Sequence, residues 1–158
     1  MEKHQVQNQN PEYAGFWIRV GATIIDTILI LIITLPILTT LYGDSYWLGG
    51  SLVQGFWDLI FSYVLPAIAV IFFWVYKSAT PGKLATKLTI VDADTGEKPT
   101  LAQFIIRYFA YFVAVIPLFL GIIWVGIDAR KQGWHDKIAR TVVIRNKGAV
   151  PVRFKNQV

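Results

Sequence analysis

Apolar residues in this chain come in three long runs separated by polar blocks, and the length and period of each stretch predict what it forms. The first run, Phe16 to Tyr42, opens FWIRVGATIIDTILILIITLPIL and holds two charged residues, Arg19 and Asp26. At about 1.5 Å per residue it exceeds the roughly 30 Å hydrocarbon core of a bilayer, which predicts a first transmembrane helix. It is too long for a signal-peptide core and is not followed by a small-residue cleavage site, so it is expected to remain in place. Ahead of it, residues 1–15 are polar and Gln/Asn-rich, the profile of a disordered tail. A connector, GDSYWLGGSLVQG, leads to the second run, Phe56 to Tyr76, a second span that Pro66 is expected to kink.

The next block, KSATPGKLATKLTIVDADTGEKPT, is polar. Within it LTIVD alternates like a short strand and DADTG is turn chemistry. Thr100 and Gln103 fit a capping box, which predicts a helix from Leu101 onward. The third apolar run, Phe104 to Ile127, is interrupted by Pro117 and Gly121, and the basic segment after it contains a second strand-like piece, TVVIR, at 141–145. The fold class that follows is an all-α integral membrane protein: two full transmembrane helices, a third apolar segment bent at Pro117, and a small cytoplasmic β cap in which LTIVD and TVVIR pair. Residues 16–145 form the membrane domain, and 146–158 are a basic C-terminal tail.

Basic residues give the expected orientation. The loop at 43–55 has no Lys or Arg, the 77–103 block has Lys77, Lys83, Lys87 and Lys98, and eight more follow Ile127. By the positive-inside bias, the first loop lies outside and the second block in the cytoplasm. The third run then has two solutions. As a straight helix it would be roughly 36 Å long and would cross, leaving the most basic tail outside. Bent at Pro117 into two short helices it would re-enter, returning the tail to the cytoplasmic side, which agrees better with the charge distribution. Backbone that leaves the helix at that depth needs cover from helices one and two. Trp17, Trp74 and Trp134 then fall near the inner boundary, and Trp47 and Trp57 near the outer one.

Composition narrows the function. With 54% hydrophobic and 16% charged residues and a mean hydropathy of +0.48, the chain has the profile of an integral membrane protein. The absence of cysteine removes disulfides, thiolate metal sites and cysteine nucleophiles, and two histidines make a His-only metal site improbable. The net charge of +5 flanks apolar runs rather than interleaving with aromatics, so it suits anionic lipid headgroups and not nucleic acid.

The charges inside the apolar runs are the candidate chemistry. Arg19 and Asp26 are seven residues apart, about 700° of rotation and about 10.5 Å of rise, on nearly one helix face but too distant to pair comfortably. Arg19 is close enough to the boundary to snorkel. Asp26 is too short for that and requires a proton or a partner, for which Arg107 is the nearest candidate; Asp128 and Asp136 are the candidates for Arg19. Asp58 reads as an interfacial residue. Gly82-Lys83-Leu84 lacks the upstream glycine and the Ser or Thr of a phosphate loop, so no nucleotide site follows. The pair His135-Asp136 lacks a nucleophile or a further metal ligand and reads as a structural turn. The surrounding RKQGWHDKIAR suits the inner leaflet surface.

Three segments taken together, YAGFWIRVGATIIDTILI, TPGKLATKLTIVDADTG and GWHDKIARTVVI, resemble the RDD family of small bacterial inner-membrane proteins over nearly the whole chain from Tyr13 to Arg145. The family is named for one arginine and two aspartates. The resemblance places the arginine at Arg19, the first aspartate at Asp26, and the second at Asp136, with Asp128 as the alternative. Some members are linked to monovalent-cation/proton exchange.

Two function classes follow. In a transport reading, Asp26 titrates between a proton and a monovalent cation, tuned by Arg107 or Arg19, and so short a chain acts as an oligomer or subunit. In an interaction reading, the cluster Arg19, Asp26, Arg107, Asp128, His135 and Asp136 locks the helices, and the cap serves a partner membrane protein or a homo-oligomer. No enzyme, cofactor or metal is expected. The expected location is the bacterial inner membrane, multi-pass, with both termini cytoplasmic.

Overall fold

In the computed structural model, residues 12–48 and 51–146 are described. Helix α1 (Phe16–Tyr42) is one continuous 27-residue helix with Pro36 inside it. Its threonines return their hydroxyls to its own carbonyls: Thr34 to Ile30 at 2.9 Å, Thr39 to Leu35 at 2.8 Å, Thr40 to Pro36 at 2.7 Å. Such internal satisfaction is what a hydrocarbon environment demands of a hydroxyl. After the short α2 (Ser45–Leu48), the second span is a continuous 22-residue helix, built of α3 (Phe56–Leu59), a π-helical turn (Ile60–Val64) and α4 (Leu65–Lys77). The wide turn sits directly before Pro66. Proline removes one hydrogen bond and its ring crowds the carbonyl four residues back, so the expected kink is accommodated by local widening while the helix continues.

Asp58 sits at the start of the second span, buried, where its carboxylate accepts from the Gln54 amide at 2.9 Å and the Ser62 hydroxyl at 2.6 Å. It secures the entry of that helix.

Helix α5 (Pro81–Ala85) and strand β1 (Leu88–Asp92) follow. The capping box at Thr100 is formed in both directions: the Thr100 amide donates to Gln103 Oε1 at 2.8 Å, and the Gln103 amide to Thr100 Oγ1 at 3.3 Å. It opens α6 (Leu101–Val115), which is separated by four residues from α7 (Leu120–Ile127), the two axes meeting at 100°. The turn includes Pro117, but its direction comes from Leu118 and Phe119, at φ of 52° and 62°. Two successive bulky residues in the left-handed region are costly and mark a turn imposed by packing. Gly121 shows the packing: a Cβ there would lie 2.6 Å from Ala114 Cα, so the two helices touch backbone to backbone just past the turn.

The chain ends in α8 (Trp134–Ile138) and β2 (Thr141–Arg145). β1 and β2 pair antiparallel, from Leu88 opposite Arg145 to Asp92 opposite Thr141. A third piece of backbone joins them: the Ala14 amide donates to Val143 at 2.8 Å, the Arg145 amide to Glu12 at 2.9 Å, and Tyr13 bridges to Ile144. Residues 12–15 therefore depart from the expected disordered tail, because they complete the exposed edge of β2. Residues 1–11, and the basic tail beyond Asn146, lie outside the described residues.

Two clusters of buried residues gather at this end of the molecule. Ala14, Ala22, Trp74, Leu88, Ile90, Phe104 and Val143 form one cluster on one sheet face, while Val91, Ala93, Val142 and Ile144 form a second on the other. Trp74, expected at the lipid interface, is instead 2% exposed, packed between Phe104 and Tyr111.

An ionic core beneath an apolar groove

Asp136 is the centre of the site, and local structure explains its position. Gly133 takes an extended conformation and starts α8, and its amide donates to Asp136 Oδ2 at 3.0 Å, so the carboxylate caps its own helix. The same oxygen receives Arg19 Nη1 at 2.6 Å, and Oδ1 meets Arg107 Nη1 at 2.5 Å. Asp136 and Arg107 are both fully buried. The three residues come from α1, α6 and α8, so one carboxylate ties together helices far apart in sequence. Burial alone would raise the Asp136 pKa, but the charges of Arg107 and then Arg19 outweigh it and hold the carboxyl well below the usual carboxylate range.

Each guanidinium is held further. Arg19 Nε donates to the Ala14 carbonyl at 2.9 Å and Nη2 to the Lys131 carbonyl at 2.5 Å, so Arg19 is fixed inside rather than snorkelling. Arg107 Nη1 also donates to Thr141 Oγ1 at 2.5 Å, and its guanidinium faces the Trp74 and Tyr111 rings at 5.5 and 5.9 Å from their centroids. Those faces offset part of the desolvation of its remaining N–H groups. His135 stacks on Tyr111, ring centroids 3.9 Å apart, and burial lowers its pKa to about 3 despite the opposing charge of Asp136. The imidazole is therefore neutral at physiological pH.

Asp26 is placed elsewhere. The expected partnership with Arg107 is not formed, because Arg107 is engaged by Asp136 and Thr141. Asp26 instead accepts from the Thr80 hydroxyl at 2.5 Å and the Gly82 amide at 2.7 Å. It thereby clamps the start of α5 onto α1. The clamp depends on Gly82, where a Cβ would fall 2.0 Å from the Ala22 carbonyl oxygen. Asp128 also stays outside the core: it accepts from the Gln132 and Arg130 amides, each at 3.1 Å, and pairs with Lys137. Burial raises its pKa, and Lys137 with these amides more than reverses the effect, leaving it lowered. RKQGWHDKIAR, expected on the leaflet surface, contributes buried Gln132, His135 and Asp136 to the interior.

Residues not foreseen as part of the site are Trp74, Thr80, Lys83, Tyr111 and Thr141. Lys83 is 7% exposed, with its ammonium 5.9 Å from the Trp74 ring centroid. Burial lowers its pKa. The sequence signal was the run TPGKLA after the second span, which is polar yet folds inward. Above this end, a groove of about 590 Å³ opens between α1 and α7, with Ile24, Ile28, Phe119 and Ile122 among its walls, and Arg19, Lys83, Tyr111 and His135 at its polar end. Among the described residues, no three His, Asp or Glu side chains converge as a metal site.

Two long apolar helices with a buried ionic core at one end define an integral membrane protein. The family model described as RDD family matches residues 13–140, and the chain belongs to that family. An uncharacterized protein of Rickettsia prowazekii (strain Madrid E), RP437, is 43% identical over 74 residues, 47% of this chain; the match spans 40% of the relative's own length. An uncharacterized protein of Bacillus subtilis (strain 168), YxaI, is 28% identical over 149 residues, 83% of this chain and 96% of the relative. No solved structure matches the chain significantly.

Proposed function

We propose that this chain is a multi-pass protein of the bacterial inner membrane in which the ionic core is a structural lock. In this reading it holds a helical module that serves membrane assembly rather than transport. The observation that carries it is the engagement of Asp136 by two guanidiniums and its own helix amide. Monovalent-cation/proton exchange needs a carboxylate free to trade a proton for a cation, whereas Asp136 is held between Arg19 and Arg107 and both oxygens of Asp26 accept hydrogen bonds, from the Thr80 hydroxyl and the Gly82 amide.

In this reading the N-terminus, the 77–103 block and the C-terminal strand lie together on the cytoplasmic face. Support comes from the sheet, which gathers Glu12–Ala14, Leu88–Asp92 and Thr141–Arg145 at one end of α1. Asp92 and Thr141 are partners, so the excursion through α6 and α7 starts and finishes at one place, and with the 100° turn between the helices this supports reading it as a re-entrant pair. The connector at the opposite end, 43–55, has no Lys or Arg.

The test of function is cation and proton flux in liposomes reconstituted with the full chain. Flux equal to that of empty liposomes is expected. Proton-coupled flux that disappears in a stably folded Asp26→Asn protein would overturn the lock and restore exchange at Asp26. For orientation, the cysteine-free background allows single cysteines at Ser51, Lys98 and Gln157 to be labelled with an impermeant maleimide on intact cells. Labelling at Ser51 alone is expected; labelling at Gln157 would replace the re-entrant pair with a third crossing.

A further inference from the structure

The groove between α1 and α7 is not required by the lock, and its chemistry is uneven along its length. From Arg19 to Ile28 is nine residues, about 14 Å of helix, close to the half-thickness of a bilayer's hydrocarbon core. The upper walls are aliphatic and aromatic, and the lower end is cationic. At that lower end, charges do not balance. Three cations, Arg19, Arg107 and Lys83, stand against two carboxylates: Asp136, shared by both arginines, and Asp26, whose oxygens accept from the neutral Thr80 hydroxyl and Gly82 amide. Lys83 remains, more than nine-tenths buried and lining the groove; its ammonium feels the charge of Asp26 but makes no hydrogen bond or ion pair of its own among the described residues. An amine of that kind is costly to bury without an anion. The volume lies within the range of about 300–1,000 Å³ typical of small-molecule sites.

We propose that this groove binds one membrane lipid with an anionic phosphate headgroup, the phosphate against Lys83 and an acyl chain along Ile24, Ile28 and Ile122. The length of the groove, with its cation at one end and apolar walls at the other, fits an amphiphile standing in a single leaflet. Assigning that leaflet as the inner one rests on the topology proposed above, but binding itself does not. A zwitterionic lipid leaves the charge of Lys83 uncompensated, because its own ammonium accompanies the phosphate. A free phosphate meets Lys83 but gains nothing from the apolar walls.

The experiment is thermal unfolding of the full chain in neutral detergent micelles, where sidedness plays no part, with phosphatidylglycerol, phosphatidylcholine or inorganic phosphate added. Phosphatidylglycerol is expected to raise Tm in a saturable way, and the other two to leave it unchanged. Lys83→Met should abolish the increment, while Lys98→Gln, which removes an exposed lysine outside the groove, should retain it. Ile28→Trp, at a position 51% exposed and lining the groove, should also abolish it by blocking the acyl path. This variant keeps the test decisive if Lys83→Met does not fold. Equal shifts from both lipids, or an increment that survives Ile28→Trp, would overturn the proposal. So would a dimer in micelles that forms through the groove and is insensitive to phosphatidylglycerol. Failure here with the expected maleimide pattern would refute the lipid site and leave the topology standing.

Discussion

The two ends of this molecule invert the rule that charges face out and apolar groups face in. Along the spans, Ile32 is 65% exposed, and only 6% of the most apolar window of either long helix is buried. At the sheet end, the fully buried side chains include Arg107, Asp136 and Thr141. The difference follows from the solvent each region has. Hydrocarbon covers an exposed isoleucine at no cost, whereas a charge near hydrocarbon has to find its partner inside the protein. Specific side-chain partnership is therefore concentrated in the end where the polar groups converge.

The largest effect on this contrast comes from emptying the centre of the ionic core. Asp136→Asn leaves Arg19 and Arg107 without their shared anion and is expected to cost about 3–5 kcal/mol, read as a large fall in Tm in detergent. Asp136→Leu combined with Arg107→Met should recover part of that loss; strict additivity would show that the two residues are not coupled.

The pH dependence of stability sharpens the same point. His135 is neutral when folded, with a pKa lowered to about 3, against an ordinary value of 6.5. Below the ordinary value the unfolded chain takes up a proton that the folded chain refuses. Stability therefore falls as pH drops through this window, by up to about 1.4 kcal/mol per unit, and the contribution stops growing below the folded pKa. His135→Phe, which keeps a ring against Tyr111, should flatten the profile between pH 6 and 4. An unchanged slope would assign the dependence to another group.

A smaller effect is expected at the clamp. Asp26→Asn keeps one acceptor for Thr80 or the Gly82 amide, so its cost should be that of a weakened helix cap, about 0.5–2 kcal/mol. Combined with Arg107→Gln it should be additive, since the two residues do not share a partner. A recovery of stability in the double variant would place Asp26 in the ionic core after all. Smallest of all, Ile32→Ala on the exposed face of α1 should change stability by no more than about 0.5 kcal/mol, because lipid or detergent fills the space. A loss of several times that would show that a second chain, not lipid, covers this face.

Much of the architecture was legible because it depends on local rules. Three apolar runs, the capping box at Thr100 and the alternation of LTIVD and TVVIR each report a length or a period that a short stretch of chain settles by itself. Partnership was not legible in that way. Helical phase places Arg19 and Asp26 on nearly one face, which suggests a single cluster, yet the side chains diverge: Arg19 reaches α8 and Asp26 reaches α5. Trp74 followed the same pattern, since its position near a boundary pointed to the interface and its neighbours made it core.

What this sequence determined alone is therefore a membrane protein with two apolar spans, a broken third segment, two strands and a few charges too deep to be idle. Hydrophobicity is a sum over neighbours in the chain, and a bilayer reads it directly. The choice of Asp136 over Asp128 for Arg19, the turn at Leu118 and Phe119, and the unpaired state of Lys83 arose only in the folded molecule. Each depends on a distance between groups that the chain brings together from far apart, and in a low-dielectric interior a few ångströms decide which anion a cation takes.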